Sequence, residues 1–205
     1  LVGSGKGIRG SCQSAGPQAE HHVRWLPRRS QALKAHIEEH GISELRGVPD
    51  DLLNPTQQRV KAATLSGQAF FDQPATAQAL AAHKLPGYFI DFETIQFGVP
   101  LWKGTRPYQQ LPFQFSVHRL GRTGRATPQA FLDLSGGNPS LAFAQSLVAA
   151  CGERGPVFVY NAAFETTRIR ELAERHPRLA IALRAINDRV VDLLPIARQH
   201  YYHPS

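Results

Sequence analysis

The sequence predicts an α/β domain: a mixed sheet, with an antiparallel meander joined by a parallel strand, flanked by helices and preceded by a helical lead-in. Three observations predict it. Strand-like apolar segments run from "GYFIDFETI" (87–95) through "FQFSVHRL" (113–120) to "QAFLDL" (129–134), close enough in sequence for a meander. A short apolar run, "PVFVY" (156–160), follows a helical stretch, as a crossover to a parallel strand requires. Helical periodicity occupies most of the remaining chain.

Taken in order, residues 1–30 are rich in Gly, Ser, Gln, Pro and His and read as a loop or as the tail of an upstream region. "GSGKG" (3–7) resembles a phosphate-binding loop, but no strand precedes it and Gly7 stands where Ser or Thr is needed, so that reading is rejected. Helices are expected at 30–41, closed by Gly41, at 54–67, opened by Asn54 and Pro55, and at 74–83. "KLPG" (84–87) then punctuates the chain. This divides it into an irregular segment and helical lead-in (1–86) and a main domain (87–205). Within the latter, "GVPLWKGTRPYQQLP" (98–112) is a long loop and Asn138–Pro139 opens a helix that closes near Gly152–Gly155. Further helices are expected at 163–176, stopped by Pro177, at 177–186, and from Asp192 onward.

Composition narrows the function classes. A formal charge of +7 and a pI near 9.8 favour a polyanionic partner such as nucleic acid, or simply a basic protein. Two cysteines, Cys12 and Cys151, are too few for a disulfide framework or a cysteine-rich zinc site, and are compatible with a reducing cytoplasm. No apolar run approaches the roughly 20 residues of a membrane helix, and the opening residues carry no secretory h-region. With no Met at position 1 and no terminating feature at "YYHPS", the chain is expected to be a piece of a longer one.

"YFIDFETI" (88–95) carries the main chemical signal. Asp91 and Glu93, two apart on a strand, share one face with Cα atoms roughly 6–7 Å apart. Two desolvated carboxylates repel, so either both reach water at a strand end or a divalent cation compensates them. Two ions roughly 3.5–4 Å apart could flank a phosphate, but such a site needs further acids from separate elements. "VFVYNAAFETTRIREL" runs a strand into a helix, with Asn161 at the junction and Glu165 about one turn in. Those two residues also suit an ordinary helix start, Asn as a cap and Glu against the helix dipole.

An Asp-x-Glu strand followed some seventy residues later by an Asn-x-x-Phe-Glu junction resembles the DEDD superfamily of 3′-to-5′ exonucleases, which have an RNase H-like fold. "VVDLLPIARQHY" is similar to the segment that follows the second motif in those enzymes. A closer resemblance, over about residues 40–205, is to a bacterial domain of unknown function found C-terminal to RecB-type nuclease modules. It rests on "YFIDFET", "GTRPYQQLPFQFSVH", "VYNAAFETTRIRELAERHP" and "RVVDLLPIARQHYYHP" in that order, and "RGSC" (9–12) could be the tail of the upstream cysteine-containing region. The resemblance implies a metal-dependent phosphodiesterase acting on a single-stranded nucleic-acid 3′ end, with Mg²⁺ or Mn²⁺ in a two-metal site held by Asp91, Glu93 and Glu165. Glu165 departs from the commoner Asp of its motif, which puts catalytic efficiency in doubt. Asp192, followed by Pro195, reads as a helix cap near the site rather than a ligand. The last superfamily motif, an Asp preceded by a His or Tyr general base, has no counterpart here and is expected beyond Ser205, so this piece is expected to be inactive or nearly so. His200 and His203 belong to a different motif, and nothing nearby completes "HYYH" as a zinc site.

The loop "PLWKGTRPYQQLPFQFS" crowds together Trp102, Lys103, Arg106, Tyr108, Gln109 and Gln110. Aromatic faces can stack bases while cations meet phosphates, which suits a single strand; alternatively the aromatics pack on the sheet edge. Trp102, Lys103, Arg106, Tyr108, Gln110 and Asn161 are the candidate nucleic-acid contacts, and Arg168 and Arg170 could add phosphate contacts. The reading from another class is a non-catalytic binding module that positions a strand for a RecB-type nuclease.

Overall fold

The computed structural model describes residues 19–204, so the "GSGKG" and "RGSC" readings and Cys12 lie outside the described residues. The chain forms two compact units, one of residues 19–70 with 202–204 and one of residues 71–201.

In the smaller unit, local caps match the sequence signals. Ser30 Oγ accepts the Leu33 N–H ahead of α1 (Gln31–Glu39), and Gly41 beyond its end has φ +60°. Asn54 and Gln57 form a reciprocal capping box at α2 (Pro55–Ser66), which ends at left-handed Gly67. The two helices enclose a core of Val23, Leu26, Leu33, Ile37, Leu45, Val48, Leu53 and Val60.

The larger unit begins with α3 (Gln73–Ala81), capped by Asp72, and is built on a five-stranded sheet. Its strands are β1 (Gly87–Ile95), β2 (Leu111–Leu120), β3 (Ala126–Leu132), β4 (Val157–Val159) and β5 (Val190–Asp192). The spatial order is β3-β2-β1-β4-β5: β1, β2 and β3 pair antiparallel, while β4 joins β1 in parallel and β5 joins β4 in parallel. This is the expected mixed α/β sheet. Some details differ from the sequence reading, and the second strand begins at Leu111, two residues inside the expected loop. The third strand begins three residues earlier than expected, and "VVD" forms a fifth strand, too short for periodicity to register.

Helices α4 (Ser140–Cys151), α5 (Ala163–Arg175) and α6 (Ala180–Asn187) bury their apolar sides with Tyr88, Ile90, Phe92, Phe115, Val117, Val157 and Val159 in one core. Fully buried Phe143, Leu147, Ile169, Leu172 and Leu183 are the helical contribution. Pro177–Leu179 is a separate single turn ahead of α6. Cys151 belongs to this core, and burial pushes its thiol up to about 12, so it stays protonated. Gly155, at φ +96°, passes so close to the Pro86 carbonyl that a Cβ would lie 2.1 Å from its oxygen, so no other residue fits. Arg189 fastens the same turn, donating to the Gly155 and Gly152 carbonyls at 2.8 Å each. The last helix, α7 (Leu193–His200), follows β5 directly. Among the described residues no helix is long and apolar enough to cross a membrane.

Candidate active site at the carboxyl rim of the sheet

Alternation along β1 decides what each carboxylate meets. Tyr88, Ile90 and Phe92 turn to the helical core, leaving Phe89, Asp91 and Glu93 on the other face, exposed. β2 accompanies β1 along its length, but β4 pairs with it only at Tyr88 and Phe89. Past that point the chain of β4 leaves for α5, opening the sheet beside Asp91. Here the connections diverge, a meander to one side and crossovers to the other, and the carboxyl ends of β1, β4 and β5 share one rim. Open α/β sheets bind ligands in a crevice of this kind. The β1–β2 register slips between Glu93 and Thr94, with Gln114 opposite Glu93 and Pro112 opposite Thr94. The irregularity ends the regular ladder just where the acids stand.

Glu165 reaches the rim from the first turn of α5. Only 4% of it is exposed, and its Oε2 has no hydrogen-bond partner. Burial raises its pKa above the usual carboxylate range. Its own backbone N–H offsets part of that, while the negative charges of Asp91 and Asp192 raise it further.

Asp192 closes β5 and caps α7. Its Oδ1 accepts the Leu194 N–H at 2.9 Å and the Asn161 N–H at 3.0 Å, which ties the end of β5 to the β4–α5 junction. Burial works to raise its pKa, but the backbone donors at Leu194, Ala162 and Asn161, with the Arg198 charge, outweigh it and hold it below the ordinary value. The capping role read from the sequence is present, and the tether to Asn161 was not legible there. Asn161 sits at φ +73°, a left-handed conformation that Asn tolerates better than most residues. It is not the helix cap: that position falls to Ala162, whose side chain makes no capping bond.

The structure thus gathers Asp91, Glu165 and Asp192 electrostatically, with Glu93 two residues beyond Asp91 on the same face. Among the described residues, no three His, Cys, Asp or Glu side chains converge closely enough to hold a metal ion. The acids form an open set rather than a closed coordination shell. A buried carboxylate oxygen without a donor, in a group whose pKa Asp91 and Asp192 raise, fits a cation as its missing partner. Arg198, in the last turn of α7, is a cation whose charge helps to lower the Asp192 pKa, and its position six residues after Asp192 offered no local signal.

The loop after β1 is held mainly by its own contacts. Trp102 donates from Nε1 to the Gly136 carbonyl at 3.2 Å and packs edge-on to Phe97. Arg168 donates to Gln110 and pairs with Glu171 at 3.3 Å; Arg106 lies 3.6 Å from Glu171, and Arg175 donates to the Gly104 carbonyl. Three arginine contacts therefore fasten the loop to α5. Tyr108 is 72% exposed at φ +56°, Gln109 accepts the Arg106 N–H at 3.2 Å, and Lys103 is exposed. Arg170 is exposed, whereas Arg168 is committed to Gln110 and Glu171.

No curated protein and no solved structure matches the chain. One family's sequence profile matches residues 88–205, from the start of β1 through α7 and beyond, more than half of the chain. On that match the protein belongs to DUF2779, the family described as a domain of unknown function.

Proposed function

We propose that this protein is an RNase H-like, DEDD-type 3′-to-5′ exonuclease-like phosphodiesterase acting on single-stranded nucleic acid. The observation that carries the reading is Glu165: a buried carboxylate with an unpartnered oxygen, its proton affinity raised by burial and by Asp91 and Asp192. Such a group is costly in a merely structural role. It is at home where a cation or a reacting proton completes it. The sheet order supports the same reading, because an antiparallel meander followed by parallel strands brings β1, β4 and β5 to one rim. Asp91 and Glu165 would hold the ion, with Glu93 beside them. Mg²⁺ or Mn²⁺ would supply Lewis-acid stabilisation of the phosphodiester and a more acidic water. Asp192 positions the site, holding Asn161 and the start of α7. The basic charge suits the polyanionic substrate, the cysteine usage suits a reducing cytoplasm, and a RecB-type nuclease module is the partner the sequence resemblance implies.

A second reading, a non-catalytic nucleic-acid-binding module accessory to that nuclease, draws support from the open arrangement of the acids. One experiment separates them. Single-stranded DNA and RNA are incubated with the protein in Mg²⁺, Mn²⁺ or EDTA, beside Asp91→Ala, and melting temperature is followed with and without divalent ion. Digestion that needs the ion, or a divalent-dependent melting shift without digestion, in either case lost in Asp91→Ala, supports the enzyme reading. Binding without digestion, with no divalent-dependent melting shift, supports the module.

A further inference from the structure

A second polar site lies at the opposite end of α5 from Glu165. A cleft of about 470 Å³ is lined by Lys103 and Gly104 of the loop, by Asn138, Ser140 and Leu141 at the start of α4, and by Arg175 and His176 at the end of α5. Among the described residues no carboxylate lines it. Arg175 uses one nitrogen on the Gly104 carbonyl, which leaves further guanidinium donors. His176 Nε2 is 3.0 Å from Ser140 Oγ, so the wall between the two helices is already joined and polar. Lys103 is exposed at the mouth. Of the acids late in α5, Glu174 stands next to Arg175 in sequence but is exposed and does not line the cleft, and Glu171 is engaged with Arg168 and Arg106. Two cations line this depression with no carboxylate among its described lining residues, an arrangement that favours a bound anion. The cleft is open to solvent, so a group carried on a longer chain can reach it.

We propose that this cleft binds a phosphodiester group of single-stranded nucleic acid through Lys103 and Arg175, gripping the strand some nucleotides away from the acidic rim. The inference rests on the nucleic-acid reading above and assigns that substrate a second anchor. Glu165 and Arg175 are ten residues apart on one helix, about 15 Å along its axis, so a strand engaging both must be longer than a dinucleotide. None of Arg175, His176, Asn138 and Ser140 was singled out as a binding residue in the sequence; the packing of α4 beside α5 brings them to Lys103.

The test measures binding of fluorescent oligo(dT) and oligo(U), from two to twelve nucleotides, in EDTA across a salt series. Lys103→Glu and Leu141→Glu place a negative charge in the cleft at exposed positions, and Lys34→Glu on α1 is the charge-matched control. Circular dichroism verifies that each variant is folded. The expected result is that both cleft variants weaken the longer oligonucleotides about tenfold at low salt and lower the salt slope by about 0.7 per lost phosphate contact, while the control does not. Dinucleotides should be affected far less. If the protein binds the longer oligonucleotides and the cleft variants match wild type or the control, this anchor is wrong while the functional reading stands. Failure of the wild type to bind any oligonucleotide at low salt overturns both.

Discussion

The carboxyl rim and the loop that follows β1 both carried functional signals as sequence, yet their polar groups are in opposite states. In the loop, Trp102, Gln110, Arg106 and the Gly104 carbonyl each meet a partner within the fold. At the rim, Glu165 is buried and one of its oxygens meets none, while Asp91 and Asp192 oppose its charge. Satisfied polar groups build a structure, and an unsatisfied buried one needs something the protein does not itself supply. The contrast moves the weight of the site to the acids, and within the loop to Lys103 and the cleft beside it.

The contrast can be broken or sharpened by mutation. The largest effect is expected for Asp192→Ala, which removes the α7 cap and the tether to Asn161; unfolding by urea should show a loss of about 2 kcal/mol. Asp192→Asn, which keeps the Oδ1 acceptor, should recover most of it. Because the Asp192 pKa is depressed in the fold, its contribution is present above the unfolded value of 3.8 and is lost as pH falls through the lower folded value. Next in size is Arg168→Ala, expected to cost about 1.5 kcal/mol by freeing Gln110 and leaving Glu171 with only its longer pair. No loss on this substitution would mean that the loop is not held from α5.

Glu165→Gln should act in the other direction. Its raised pKa means that stability is fully present below the unfolded value near 4.5 and declines as pH rises through the folded value. The substitution should therefore raise the melting temperature at neutral pH by a few degrees and flatten that decline. It should also abolish any stabilisation by Mg²⁺ or Mn²⁺. A melting temperature that falls instead would show that Glu165 is a satisfied structural group. The smallest effect belongs to Arg106→Ala, less than about 0.5 kcal/mol, since its pair with Glu171 is long and solvent-exposed.

Much of the fold was legible because its signals are local. Asn54 with Pro55, and Gly41, write helix ends within a few residues, and the apolar runs at 87–95 and 113–120 write strands. β5 was not legible, since three residues carry no period and its place is set by pairing with β4. The loop was legible as a concentration of aromatic and cationic residues but not as a segment tied to α5, because Arg168 and Gln110 are 58 residues apart.

The sequence by itself determined that Asp91 and Glu93 share a face, because strand alternation is a property of the backbone. It also determined that Asp192 would cap a helix, which needs only neighbouring N–H groups. Only the tertiary structure decided that Asp91 and Asp192 are the charges opposing Glu165, and that Asp192 also holds Asn161. Those facts follow from parallel pairing across two crossovers, where each contact depends on where distant strands stop. No stretch of the chain, read alone, contains that information.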